Sequence, residues 1–257
     1  MWRHDPTMVI TLDSIQPRWG ENKDMGEARM PDMLLTDQAF LAIKALLFDG
    51  EVRAGQLVSM AELVKRSGLP LAPVREAVKR AEAMGLVEIL PKRGVQIMAA
   101  TPDTIQACFH LRCLIDQEGA RMLASNAAKD AMAALRDQHV AVRDNAAKGI
   151  TPDIQRWAKR VDWELHSTLA SALNNNLAAQ IYDDNRDRIT VLQQSRHFLP
   201  ERIVPAMTEH LHIIDAILTG QTQEAMAAVR QHMAGTLRWW GVAPPEGNAP
   251  AAARPAT

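Results

Sequence analysis

Several things are scarce in this chain of 257 residues, and each shortage narrows what it can be. There are two cysteines, Cys108 and Cys113, five apart on a segment with helical spacing, where their side chains diverge and cannot easily bridge. A disulfide-built fold is therefore excluded, and the pair fits a reducing cytoplasm. No stretch of about 18 apolar residues occurs, so no membrane-spanning helix and no membrane partner is expected. The N-terminal region lacks the basic start and apolar centre of a secretory leader, which again points to the cytoplasm. Neither sign of charge prevails: 29 Lys and Arg against 30 Asp and Glu leave a net charge of −1, too little for a global cationic field that would draw the chain to nucleic acid. Beyond about residue 100, strand signals are missing as well. What the chain does have is 47% hydrophobic residues, ample for a sizeable core in one or two domains.

The stretch 59–98 stands apart. Within it, Val74, Ala77, Val78, Ala81 and Met84 follow the i, i+3, i+4, i+7 spacing of one apolar helical stripe. Arg75, Lys79 and Arg80 lie on the polar side, and Gly85 can end the helix. Upstream, 61–66 fits a short helix and Ser67-Gly68-Leu69-Pro70 a tight turn; downstream, 86–90 and 95–98 flank the basic turn Pro91-Lys92-Arg93-Gly94. The succession reads as a helix-turn-helix followed by a two-stranded wing. Such a unit sets one helix into the major groove, where early side chains reach base edges and neighbouring basic groups hold phosphates. The bland reading is an amphipathic helix with a solvated charged face. Charge favours the first: 59–98 carries seven basic residues (Lys65, Arg66, Arg75, Lys79, Arg80, Lys92, Arg93) against four acidic ones (Glu62, Glu76, Glu82, Glu88), so it is +3 while the remainder is −4. A small reading head on a neutral-to-acidic body would show this asymmetry.

Ser59, Glu62-Leu63, Gly68-Leu69, Pro73-Val74-Arg75-Glu76-Ala77-Val78, Glu82, Gly85-Leu86-Val87 and Arg93-Gly94 stand in an order and spacing that resembles the GntR family of bacterial transcription regulators. The resemblance implies binding to double-stranded operator DNA through Arg75, Lys79, Arg80, Lys92, Arg93 and Ser59. One departure matters. Where that family has Ser-Arg-Thr before the Pro-Val-Arg, this chain has Pro70-Leu71-Ala72, so the helix lacks a hydroxyl cap and the first base-reading arginine, and more of the readout falls to Arg75.

Four segments are expected: an N-terminal extension, 1–31; the winged helix-turn-helix, 32–99; an all-helical domain, 100–241; and a disordered tail, 242–257, rich in Ala, Pro and Gly. A first helix over 36–49 is opened by Thr36, closed by Gly50 and braces the reading head. In the body, Thr101-Pro102-Asp103 and Thr151-Pro152-Asp153 are paired helix starts, each a capping hydroxyl, a proline and an early acid. Helical patterns run over about 102–124, 129–147, 152–173, 177–194, 201–219 and 222–240. The fold expected is thus mainly α, a winged helix-turn-helix joined to a bundle of about six helices. This arrangement resembles the FadR branch of the GntR family, whose helical FCD domain binds the effector and dimerises. Arg112 with Asp116, Asp162-Trp163-Glu164-Leu165-His166, Glu209-His210 and His232 match that branch.

The same residues can be read without the family. Asp162 and His166, four apart, flank the stripe Ile154, Trp157, Val161, Leu165, Leu169. His210 lies within Met207, Leu211, Ile214, Ile217 and Leu218, and His232 within Ala225, Val229, Thr236 and Trp240. His110, His139 and His212 fall off their stripes and read as surface residues. His210 is ten residues before Gly220 and His232 twelve after it, which sets the two at similar heights on an antiparallel hairpin. One carboxylate and three imidazoles in an apolar interior suit a divalent transition metal, zinc or nickel foremost. The plain alternative is a set of hydrogen-bonded core histidines. Arg112 reads either as the cationic partner of an acidic effector or as an intrahelical pair with Asp116.

The function these readings imply is a homodimeric, sequence-specific transcription regulator, a repressor in the commoner mode of the family, acting on a palindromic operator and controlled by a small carboxylic acid. One rival is a metal-dependent enzyme, although no residue stands out as a general base, since Glu164 lies off the face of its neighbours Asp162 and His166. Another is a regulator that responds to the metal alone.

Overall fold

The computed structural model describes residues 33–125, 129–195 and 200–243. From Leu35 onward the described residues belong to one compact unit. The expected extension 1–31 lies outside the described residues, as does the tail from 244. Val242, assigned to that tail, is instead buried, and its N–H donates to the Leu237 carbonyl.

The reading head is built from α1 (Leu35–Phe48), β1 (Leu57–Val58), α2 (Met60–Ser67), α3 (Leu71–Ala83), β2 (Val87–Leu90) and β3 (Gly94–Ile97). Helix α1 begins one residue before Thr36, so that hydroxyl sits inside the helix and does not open it. Ser59 opens α2 by accepting the Glu62 N–H at 3.1 Å, and Gly68, in the left-handed region at φ 66°, ends it. No side chain caps α3 behind Pro70, as Pro70-Leu71-Ala72 implied. The stripe is where the spacing put it: Val74, Ala77, Val78 and Ala81 are buried against Phe40, Ile43 and Leu47 of α1 and Leu63 of α2.

The sheet has one strand more than expected. β3 is its centre, pairing antiparallel with β2 (Glu88 opposite Gln96) and with the two-residue β1 (Val58 opposite Val95). Gly94 is needed at the start of β3: its φ is 131°, and a Cβ there would lie 2.5 Å from the Val58 carbonyl oxygen.

The body comprises α4 (Pro102–Ser125), α5 (Lys129–Lys148), α6 (Pro152–Ser171), α7 (Asn176–Ser195), α8 (Pro200–Leu218) and α9 (Thr222–Trp240), each within three residues of its sequence-derived bounds. Both threonine caps form: Thr101 accepts the Thr104 N–H at 3.2 Å and Thr151 the Ile154 N–H at 3.3 Å. α4 is central, touching α6, α7, α8 and α9, while α8 lies between α5 and α9. A core of Phe109, Leu135, Leu165, Leu169, Ile189, Ile213, Ile214 and Leu237 fills the space between. Burying each such large side chain contributes about 1.5–3 kcal/mol before the entropy of ordering is charged. Cys108 and Cys113 are buried and free. Among the described residues no helix is long and apolar enough to cross a membrane.

Head and body share packing. Val191 of α7 belongs to the core of the head. Lys44 of α1 pairs with the nearly buried Asp187 of α7, and Arg188 Nε–H donates to the Met84 carbonyl at 2.7 Å.

The approach of α4 to α6 depends on Gly119. A Cβ at this position would lie 2.0 Å from the Leu169 carbonyl oxygen, on backbone that cannot step aside. Gly119→Ala is therefore expected to destabilise the protein by at least ~2 kcal/mol in urea unfolding; a midpoint equal to the parent's would contradict this packing.

Candidate metal centre

Gly119 and Leu169 stand three residues after Asp116 and His166, so the close contact of α4 with α6 brings that carboxylate to that imidazole. His166 Nδ1 and Asp116 Oδ2 are 2.7 Å apart, both side chains buried. From the α8–α9 hairpin come His210 and His232, facing each other as their similar distances from the turn implied: their Nε2 atoms are 3.2 Å apart. His232 Nδ1–H donates to Glu209 Oε2 at 2.8 Å, and the Arg202 guanidinium grips the same carboxylate with both terminal nitrogens.

Donor atoms of His166, His210 and His232 all lie within 4.8 Å of one another. Asp162 stands beside two of them, its Oδ1 3.8 Å from His166 Nε2 and 3.6 Å from His210 Nε2. The four expected ligands are thus gathered, with the three imidazoles as the tightest set. Arg112 forms the intrahelical pair, its Nε 3.4 Å from Asp116, while Nη2, 3.7 Å from Asp162, is buried with no hydrogen-bond partner. Its guanidinium also stacks 5.4 Å from the Trp163 ring.

The electrostatics favour neutral imidazoles among charged partners. Burial, then the nearby Arg112, holds His166 well below the ordinary imidazole range, and burial with His232 does the same to His210. Burial pushes Asp116 up to about 7 against the pull of Arg112 and His232. For Asp162 burial acts in the same direction, but Arg112 and the neighbouring imidazoles outweigh it and keep the carboxyl below its usual value.

These residues fit a divalent cation. With Nδ1 of His166 and of His232 committed to carboxylates, each presents a bare Nε2, and the one on His166 is buried without a partner. Two buried nitrogens 3.2 Å apart with a carboxylate oxygen 3.6 Å from one of them need a proton or a cation between them. Carboxylates behind imidazoles fix the tautomer and raise ligand basicity in zinc sites. Glu164 meets Gln138, away from the cluster.

One histidine was misplaced by the sequence reading. His139 of α5 is fully buried, its ring edge-on to that of His210 with centroids 5.2 Å apart, and burial lowers its basicity. The signal was present: Met132, Leu135, Val142 and Ala146 are buried on α5, and position 139 continues their 3–4 spacing. His212 is exposed and His110 half-buried. Glu209 and Arg202 behind His232 were also given no role.

On the head, Arg75, Lys92 and Arg93 are exposed and have no ion pair among the described residues. Lys79 pairs loosely with Glu76 at the surface. Arg80 is differently employed: it lies 4.0 Å from the Phe40 ring centroid and pairs with Asp37, so it braces α3 on α1. Ser59 spends its hydroxyl on the α2 cap.

Residues 35–97 match the model of bacterial regulatory proteins of the gntR family, and residues 107–235 that of the FCD domain. The chain belongs to the GntR family. The regulator is 20% identical over 195 residues to YdhC, an HTH-type transcriptional regulator of Bacillus subtilis, covering 76% of this chain and 86% of that one. It is 29% identical over 136 residues to an HTH-type transcriptional regulator from Agrobacterium vitis, covering 52% and 77%. Its fold is shared with Escherichia coli McbR/YncC, with a TM-score of 0.63 at 14% identity over 81% of this chain and 97% of that one. A GntR regulator from Rhodococcus sp. is similar at 0.64 and 18% identity, over 79% and 96%. These are transcription regulators, and the metal-dependent-enzyme reading gives way to that membership.

Removing Glu209 would strand two groups, a buried guanidinium and an imidazole N–H. Glu209→Ala is expected to cost about 3 kcal/mol of stability in urea unfolding, and Glu209→Gln, which keeps an acceptor, distinctly less; equal losses would argue against the shared carboxylate.

Proposed function

We propose that this regulator is a cytoplasmic, homodimeric repressor whose affinity for a palindromic operator is set by a small carboxylic acid, a metabolic or sugar acid, bound at a zinc or nickel ion in the helical body. The observation that carries the reading is the convergence of the His166, His210 and His232 donors within 4.8 Å, beside Asp162 and the unpartnered Nη2 of Arg112. A divalent ion held by those three imidazoles and Asp162 supplies a positive anchor for an anionic oxygen. Arg112 then orients the carboxylate through Nη2, as guanidinium donors do. In the head, Arg75 reaches base edges while Lys79, Lys92 and Arg93 hold phosphates.

Support for the dimer comes from α4 and α7, where Leu114, Leu177 and Ile181 are at least half exposed beside the apolar cluster of Ile115, Ala170 and Tyr182. Contiguous apolar surface of this kind marks interfaces. Support for control at a distance comes from α7 itself. Its Tyr182 packs with Ile115, next to Asp116, and five residues later Asp187 and Arg188 hold the head. An effector that binds one setting of α7 better than another shifts the heads by its differential binding energy.

Operator retardation with candidate acids, each with and without a chelator, tests the reading. Release by an acid only in the metal-loaded protein is expected; release by chelator alone, with no response to acids, would leave a metal sensor. His210→Ala should lower the metal content of the purified protein by elemental analysis while its head still retards DNA, and equal content would sink the ligand set. Arg75→Ala should weaken specific binding by about 1–3 kcal/mol, read by fluorescence anisotropy against the operator and a scrambled duplex; unchanged discrimination would remove Arg75 from the readout.

A further inference from the structure

His139 is a buried imidazole that neither the ligand set nor the effector contact uses. Its Nδ1 lies 2.7 Å from the Leu135 carbonyl oxygen one turn back on α5. A carbonyl can only accept, so Nδ1 carries the proton. With no carboxylate hydrogen-bonded to the ring, Nε2 is left as a bare acceptor, and it is buried without a partner.

The adjoining ring has the complementary need. His210 turns Nε2 toward His232 and Asp162, and its Nδ1 is buried without a partner as well. Once Nε2 is a metal ligand, Nδ1 must hold the proton, which makes it a buried donor with nothing to donate to. The other two imidazoles have this matter settled, by Asp116 behind His166 at 2.7 Å and by Glu209 behind His232 at 2.8 Å. Both of those carboxylates are paired with arginines, Arg112 and Arg202. At His210 the ring with the orphan donor instead neighbours the ring with the orphan acceptor, His139, edge-on at 75° with centroids 5.2 Å apart. An uncharged acceptor serves there without adding a third buried charge that would need its own partner.

We propose that His139 is a positioning residue of the metal centre: with the ion bound, its Nε2 accepts the His210 Nδ1–H once the two neighbouring rings close to hydrogen-bond distance or through one bridging water, and so fixes the tautomer that turns His210 Nε2 to the ion. The assignment rests on the metal reading above. It also explains why α5 places an imidazole in a stripe otherwise filled by Met132, Leu135, Val142 and Ala146, where an apolar residue would bury no orphan atom.

The test compares the full chain with His139→Leu and His139→Gln, measuring zinc and nickel dissociation constants by competition with a chromophoric chelator, and the unfolding midpoint of each metal-free protein. His139→Leu should weaken metal binding by about ten- to a hundredfold with a metal-free midpoint equal to or above the parent's. His139→Gln, whose amide oxygen can accept, should recover most of the affinity. Parent-like affinity in His139→Leu overturns the proposal, and so does equal weakening in both variants, which would mean ring shape alone matters. If His139→Leu does not fold, His139→Met takes its place under the same criteria. Failure of the parent chain to bind either ion would instead overturn the metal reading itself, so the two failures are distinguishable.

Discussion

Burying three imidazoles and their carboxylates at the junction of α4, α6, α8 and α9 is the constraint on which the helical body depends. A polar atom taken out of water costs stability unless it finds a partner, and the protein meets most of that demand internally. Asp116 answers His166, Glu209 answers His232, and Arg112 and Arg202 answer the carboxylates in turn. The packing serves these bonds: Gly119 admits the Leu169 backbone, and Gly235 leaves room for the Glu209 carboxylate, which a Cβ would meet at 2.6 Å. Of the seven buried side-chain atoms left without a partner among the described residues, five (His166 Nε2, His210 Nδ1, His139 Nε2, Arg112 Nη2 and Asp116 Oδ1) belong to this cluster, the others being Tyr182 Oη and Asn185 Oδ1. Such a concentration of orphans in a core that satisfies most of its polar groups is what a site awaiting a further partner would show.

The same helices carry the reading head. Val191 closes the head's core from below, and the carboxylate of Asp187 is held by Lys44 although burial works to raise its pKa. Gly85 sits against the Arg188 guanidinium, so the end of the α3 turn is packed on α7 as well as bonded to it. Head and body are therefore coupled by side chains, and the coupling passes through a helix that also borders the centre. A shift of α7 cannot leave α1 and the end of α3 where they were, which is the physical requirement for binding at one place to alter affinity at another.

Much of this was legible in the residues. The α3 stripe, the two Thr-Pro-Asp starts and the histidines inside apolar stripes depend on local spacing, and local spacing survives folding. Similar distances from Gly220, ten residues and twelve, sufficed to face His210 with His232, because a short turn leaves little freedom of register. The misses have the opposite character. β1 is two residues long and exists only through its pairing with Val95 and Gln96, nearly forty positions away. Arg80 looked like a DNA contact because its position on α3 is polar, and only the packing of α1 reveals the Phe40 ring beneath it. His139 was lost for another reason: α5 is rich in alanine and charge, so its apolar face is thin, and a histidine on a thin face does not stand out as one on the α8 stripe does. Arg202 and Glu209, seven apart, share a site because the last element, α9, presents His232 to them.

Charge bookkeeping links the centre to the class of molecule it would receive. With neutral imidazoles and all three carboxyls ionised, the state a bound cation would favour, Asp116, Asp162 and Glu209 contribute three negative charges and Arg112 and Arg202 two positive ones, a balance of −1. A divalent ion would bring this to +1, an excess that a low-dielectric interior penalises as it would the deficit. A single carboxylate from an effector restores neutrality, and Arg112, close to Asp162 with one nitrogen unbonded, stands where such a group can be gripped. A bound metal would also change Asp116. Burial pushes its carboxyl up to about 7, and a cation on the far side of His166 would favour its ionised form, which in turn would make His166 a stronger ligand. Ion, imidazole and carboxylate would thus reinforce one another, and an acid that completes the balance would meet a site already set for it.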